Sequence, residues 1–185
     1  MAQDYAKLLN ALDTHFEVIG RGVHSASNFF NSTGQKVQTG GVHQALKDLH
    51  APETAIVAVG VEQLSGTATE LIKAGTRRIL LEKPGGLNFE QIHQLNNVAV
   101  EHGAKVWLAY NRRFYASTLK AEEMITEDGG VSSVQFEFTE WSHSLCDMDK
   151  APDVKEHWFL GNSTHVVDLV FHLCGTPKDW SSWFD

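Results

Sequence analysis

The sequence predicts an α/β protein: a mostly parallel sheet over residues 1–112, followed by a region with an antiparallel strand over residues 113–185. Three observations carry this reading. Short apolar runs alternate with stretches of helical spacing as far as Ala109. The helical stretches stop at glycines, as at Gly75 and Gly103. Beyond Tyr115 the pattern changes to alternation of apolar and polar residues.

In chain order, Asp4 to Asp13 places Tyr5, Leu8, Leu9 and Leu12 on one face of an amphipathic helix. Phe16 to Ile19 reads as a short strand that stops at Gly20-Arg21-Gly22, and Gly41 to Leu49 as a short helix. Thr54 to Val59 is a continuous apolar run, the mark of a parallel strand buried on both faces. A helix over Glu62 to Ala74 ends at Gly75, a residue type suited to a left-handed C-cap. Arg78 to Leu81 is the next strand, Phe89 to His102 the next helix, and Lys105 to Ala109 another buried strand. Alternation of this kind argues a parallel sheet with right-handed crossovers. A long helix then runs to Glu127, and Asp128-Gly129-Gly130 turns the chain. In Val131 to Trp141, Val134, Phe136 and Phe138 alternate with Gln135, Glu137 and Thr139, a half-solvated strand. The tail, Trp180 to Asp185, resembles a strand that has just begun.

Bulk properties narrow the function. The 185 residues are 42% hydrophobic and 21% charged, as in an ordinary globular domain. A net charge of -8 without a Lys/Arg block argues against nucleic acid. No apolar run reaches about 18 residues, so no membrane span is expected. The N-terminus shows no secretory pattern, and Cys146 and Cys174 are expected as free thiols in a reducing cytoplasm. The 10 histidines form no close-spaced ligand cluster, so no metal site is expected.

Three stretches concentrate chemistry. Glu82-Lys83-Pro84 closes an apolar strand, and carboxyl ends of strands are where open α/β sheets build their sites. Proline turns the chain out of the sheet there, leaving the lysine on a stiff platform suited to proton transfer or carboxylate binding. Tyr110-Asn111-Arg112-Arg113-Phe114 follows the next strand. It offers an amide and two guanidinium forks, although Arg113 reads better as part of a surface pair or as a structural bridge to the second domain. Asn162 to Leu169 opens an apolar helix on which His165 and Asp168, three apart, share a face. Asp168 reads equally as a group that orients His165 or caps the helix, and His172 as a satisfied core histidine.

In this order, Glu-Lys-Pro, Tyr-Asn-Arg-Arg-Phe and His-x-x-Asp resemble the Gfo/Idh/MocA (glucose–fructose oxidoreductase/inositol dehydrogenase) family. The resemblance implies a Rossmann-like domain followed by an α/β domain with an open antiparallel sheet used for homo-oligomerisation. It implies an NAD(P)-dependent oxidoreductase acting on a sugar, cyclitol or sugar derivative. Carried over, Lys83 matches the catalytic lysine, assisted by His165 in the substrate site, and Pro84 shapes the nicotinamide pocket. The cofactor is then expected against Arg21, Gly60 and Glu82 to Pro84, with Asn111 and Arg112 at its junction with substrate. Substrate is expected against Lys83, Tyr110, Arg112, Asn162, His165 and Asp168. No acid follows the second strand's position. Arg21 there favours NADP over NAD through a 2′-phosphate, and reads equally as an exposed loop charge.

Three departures stand out. The first strand of the nucleotide-binding sheet and its Gly-x-Gly-x-x-Gly loop are not seen, nor is most of the C-terminal sheet. Gly161 stands where the family often has an aspartate, and Val59-Gly60-Val61-Glu62 replaces its Thr-Pro-Pro-like turn. Alternative readings are therefore a non-catalytic relative that binds cofactor weakly, or a lyase or epimerase use of the same pocket.

Overall fold

The computed structural model describes residues 1–144 and 147–183. The thiol expected at Cys146 and the last two residues of the tail lie outside them, whereas Cys174 is a free thiol. The chain divides into two compact units, Met1–Leu108 and Ala109–Asp185.

The first unit alternates helix and strand: α1 (Ala2–Ala11), β1 (Val18–Ile19), α2 (Val23–Thr33), β2 (Val37–Gln38), α3 (Gly41–Asp48), β3 (Thr54–Val57), α4 (Val61–Ala74), β4 (Arg78–Leu81), α5 (Phe89–Glu101) and β5 (Lys105–Leu108). Every ladder is parallel. The sheet falls into two parts, β1-β2 and β3-β4-β5, with β4 central in the second.

Register explains where the core lies. Val57, Leu81 and Leu108 align across the three strands, as do Ala55, Ile79 and Val106. These rows pack against Leu64, Ala68, Leu71 and Ile72 of α4 and Leu95 and Ala99 of α5. The alternate row, Ile56–Leu80–Trp107, points to the opposite face, where Ile56 is 37% and Trp107 50% exposed. The expectation that β3 and β5 are buried on both faces is thus corrected: α4 and α5 cover only one. In α1 the buried residue is Ala6, while Leu8 and Leu12 are exposed, so the inward face is rotated from the predicted one.

Helix ends follow the glycine signals. Gly75 closes α4 with a positive φ, and its amide bonds the carbonyls of Leu71 and Ile72. Unpredicted were α2 and the two-residue β2, which lies beside β1.

The second unit holds a 3₁₀ turn (Asn111–Phe114), α6 (Ala116–Glu127), α7 (Pro152–Glu156), a π-helical turn (Phe159–Ser163) and α8 (Thr164–Cys174). The strand predicted over Val131 to Trp141 is not formed. Alternation chooses a face but supplies no ladder partner, and no strand occurs among the described residues of this unit. Trp180 to Trp183 likewise form no strand. No helix among the described residues is long and apolar enough to cross a membrane.

Candidate functional site

Glu82-Lys83-Pro84 stands at the carboxyl end of β4, the middle strand of its sheet. Its backbone is tied on both sides. The Glu82 amide bonds the Val57 carbonyl at 2.9 Å, and the Gly85 amide returns to the Glu82 carbonyl at 3.0 Å. Gly85 has φ +91°, and a Cβ there would come within 2.7 Å of a Leu108 methyl, so glycine is required. Farther on, the Leu87 amide donates to Gln91 Oε1, and the Asn88 side chain caps α5 by accepting from the Gln91 amide. Between Leu81 and Leu87 only Lys83 is not buried. The local chemistry therefore presents one ammonium from a fixed loop, the preorganisation that proton transfer requires.

Glu82 is held from an unexpected direction. The Tyr5 hydroxyl of α1 donates to Glu82 Oε1 at 2.8 Å, and Glu82 is only 8% exposed. Burial first, and then the neighbouring carboxylate, push the Tyr5 phenol well above its ordinary range. A raised phenol pKa contributes stability below the unfolded value of about 10 and loses it as pH rises through the folded value. Tyr5→Phe should therefore cost about 1–2 kcal/mol at neutral pH by leaving a buried carboxylate short of a donor. It should also flatten the alkaline limb of the unfolding midpoint against pH, and a limb as steep as wild type would refute the pairing.

At the other half of the sheet, Arg21 is exposed just beyond β1. Gly40 and Gly41, which follow β2, hold this turn: their amides bond the carbonyls of Arg21 (3.3 Å) and Gly20 (3.0 Å). The Gly40-Gly41 pair was a turn signal that sequence reasoning passed over. Gly60 is the N-cap of α4, and a Cβ on it would run into the carboxylate of Glu62. An acid thus borders the turn that departs from the family pattern. A cavity of about 390 Å³ lined by Phe16, Val18, Gln38 and Leu49 lies apart from these motifs.

In the second unit the structure gathers Tyr110, Arg113, His165 and Asp168. The Arg113 guanidinium grips Asp168 with both arms, Nε to Oδ2 at 2.8 Å and NH2 to Oδ1. This bond to Asp168 raises the Arg113 pKa, and Asp168 is 11% exposed against 40% for Arg113. Arg113 thus forms an ion pair inside the second unit, and Asp168 is committed to it. The Tyr110 ring meets His165 edge-on at 5.6 Å, with Arg113 at 5.8 Å from the same ring. Burial pushes the Tyr110 phenol up, opposed by its bond with Thr164. Arg112 contributes its carbonyl, which accepts from Thr118 Oγ1 at 2.8 Å. Asn111 opens the 3₁₀ turn.

Sequence reasoning missed Glu140. Its carboxylate accepts from Asn162 Nδ2 at 2.9 Å and from Ser163 Oγ, fixing the turn just ahead of His165. Burial would raise its pKa, but the bonds from Ser163, Asn162 and Trp158 prevail and hold it low. His172 pairs with Glu122 at 2.8 Å. Lys83 and Glu82 belong to the first unit and this cluster to the second.

No protein-family model matches the chain, and no curated protein matches it in sequence. Solved structures do match its fold. WlbA dehydrogenase from Bordetella pertussis, solved with NADH and UDP-GlcNAcA, has a TM-score of 0.74 at 15% identity, over 94% of this chain and 56% of that one. WlbA from Chromobacterium violaceum, solved with the same two ligands, gives 0.72 at 14% identity, over 94% and 52%. An NAD-binding oxidoreductase from Klebsiella pneumoniae gives 0.61 at 18% identity, over 92% and 47%. The chain spans about half the length of these structures. Over that span, it has the fold of Gfo/Idh/MocA-type dehydrogenases.

Proposed function

We propose that this chain carries the working half of an NAD(P)-dependent oxidoreductase acting on a sugar, cyclitol or sugar derivative. The observation that carries the reading is the position of Lys83, the one residue that is not buried in a hydrogen-bonded loop at the carboxyl end of a central parallel strand. The fold shared with dinucleotide-binding dehydrogenases supports it. In this reading the dinucleotide supplies the hydride acceptor. Lys83 takes the proton from the reacting hydroxyl, and His165, braced by Tyr110, assists. Pro84 and Glu82 shape the nicotinamide side, Asn111 and Arg112 the junction, and Tyr110 and Asn162 the substrate side. Asp168 acts through Arg113 to hold this second cluster.

An acidic sugar suits the Lys83 and Arg112 charges, and UDP-GlcNAcA in the WlbA structures is consistent with that class. The chain would work in the cytoplasm as a homo-oligomer built through its second unit. The test is reduction of NADP and NAD with a panel of hexoses, inositols and uronates. Turnover with one sugar class supports the reading, and no turnover across the panel contradicts it.

A second reading is favoured by one observation: β1-β2 and β3-β4-β5 share no ladder. A divided sheet supports a non-catalytic scaffold with weak cofactor affinity. Arg21 separates the cofactors. Placed at the end of β1, its fork suits a 2′-phosphate, so Arg21→Glu should weaken NADPH about tenfold and leave NADH nearly unchanged in calorimetric titration. Equal effects on both would reassign Arg21 as a loop charge.

A further inference from the structure

We propose that Glu140 is a positioning residue: it holds the π-helical turn Phe159–Ser163 and thereby sets where His165 stands on α8. The role of His165 rests on the oxidoreductase reading above, whereas the group that aims its imidazole is read from the second unit alone. The backbone shows why a holder is needed. The π turn lies between α7 and α8, and its hydrogen bonds span five residues where an α-helix spans four. Such turns are rare and recur at functional sites. Relaxation to α geometry would rotate every later residue by about 100° around the helix axis, the step of one residue at 3.6 per turn. His165 follows the turn by two residues, so that rotation would carry it off the Tyr110 ring, which it meets edge-on at 5.6 Å.

Contacts at both ends of the turn lead back to one segment. Glu140 Oε1 accepts from Asn162 Nδ2 at 2.9 Å and from Ser163 Oγ, and these are the last two residues of the turn. Ser163 is only 2% exposed, so its hydroxyl depends on this carboxylate rather than on water. Two residues before Glu140, the Phe138 ring meets that of Phe159, the first residue of the turn, edge-on at 6.1 Å. Thr164 Oγ1 adds a local support, donating to the Leu160 carbonyl at 3.0 Å. Of these contacts only those to Glu140 involve a charged acceptor, which makes them the stronger bonds. A group that moves protons must keep its angle and distance to the reacting atom, so loss of this hold should reach turnover through His165.

The test compares Glu140→Ala with Glu140→Gln by NMR and by turnover. Gln keeps an oxygen where Asn162 and Ser163 both bind, and Ala keeps none. The nuclear Overhauser contact between the Tyr110 and His165 rings should be lost in Glu140→Ala and retained in Glu140→Gln. Amide exchange over residues 161–164 should quicken about tenfold in Glu140→Ala alone. With the sugar that the wild type oxidises, kcat should fall about tenfold in Glu140→Ala and recover most of that loss in Glu140→Gln. Should Glu140→Ala fail to fold, Ser163→Ala removes one of the two bonds and should show the same losses in smaller degree. An intact ring contact with unchanged exchange, or an unchanged kcat despite a lost ring contact, would overturn the proposal. Equal losses in Glu140→Ala and Glu140→Gln would also overturn it, since charge rather than a held turn would be at work. Absence of turnover by the wild type contradicts the oxidoreductase reading instead, and the ring contact and exchange still decide the role of Glu140, so the two failures are distinguishable.

Discussion

Replacing Lys83 by alanine is expected to lower kcat about a thousandfold, the scale on which a positioned acid/base contributes. The fold should survive, because Lys83 is the one residue between Leu81 and Leu87 that the loop does not bury. The loop's stability comes from Gly85, Gln91 and the Asn88 cap, which the substitution leaves in place. Lys83→Arg is the informative companion. It keeps the charge but holds its proton at all working pH values, so it should restore substrate affinity without restoring turnover. Steady-state kinetics beside a thermal unfolding curve provide the check. Turnover surviving in Lys83→Ala with an unchanged unfolding midpoint would show that another group moves the proton.

Asp168→Ala is expected to destabilise the chain by about 2 kcal/mol. Breaking a buried ion pair costs about 3–5 kcal/mol, and the 40% exposure of Arg113 moderates that figure. The loss is not confined to one bond. Arg113 lies against the Tyr110 ring, and Tyr110 meets His165, so releasing the guanidinium loosens the packing that holds the histidine. Asp168→Asn preserves shape and one acceptor, and Arg113→Lys preserves charge but loses the fork. Each should cost less than Asp168→Ala. Urea unfolding measures the ranking. An Asp168→Ala midpoint equal to wild type would mean that the pair is a surface contact and the bracing of His165 is not its role.

What the sequence disclosed depended on how local the signal was. β4 was read at its observed bounds, Arg78–Leu81, and α4 to within one residue, because apolar runs and capping glycines lie in the segments themselves. Helix α2 was not read: Val23–Thr33 is rich in Ser and Asn, lacks a side-chain cap, and follows two glycines that suggest a loop. The alternation in Val131 to Trp141 was plain, yet a strand needs a partner that alternation does not name. Glu-Lys-Pro was legible because a charged pair and a proline at a strand end are unusual neighbours. Its anchor Tyr5 was not, being 77 residues away with no pattern linking them. The same holds for Arg113 and Asp168, 55 apart, and for Glu140 against Ser163, 23 apart. Pairings across the chain are decided by packing, and residue type alone only nominates the candidates.

Whether the carboxyl rim carrying Lys83 holds a dinucleotide is decided by titrating the chain with NADPH while following tryptophan emission. Saturable quenching is expected, with Lys83→Ala retaining it and Arg21→Glu weakening it. An emission spectrum unchanged up to millimolar NADPH would refute a dinucleotide site at that rim.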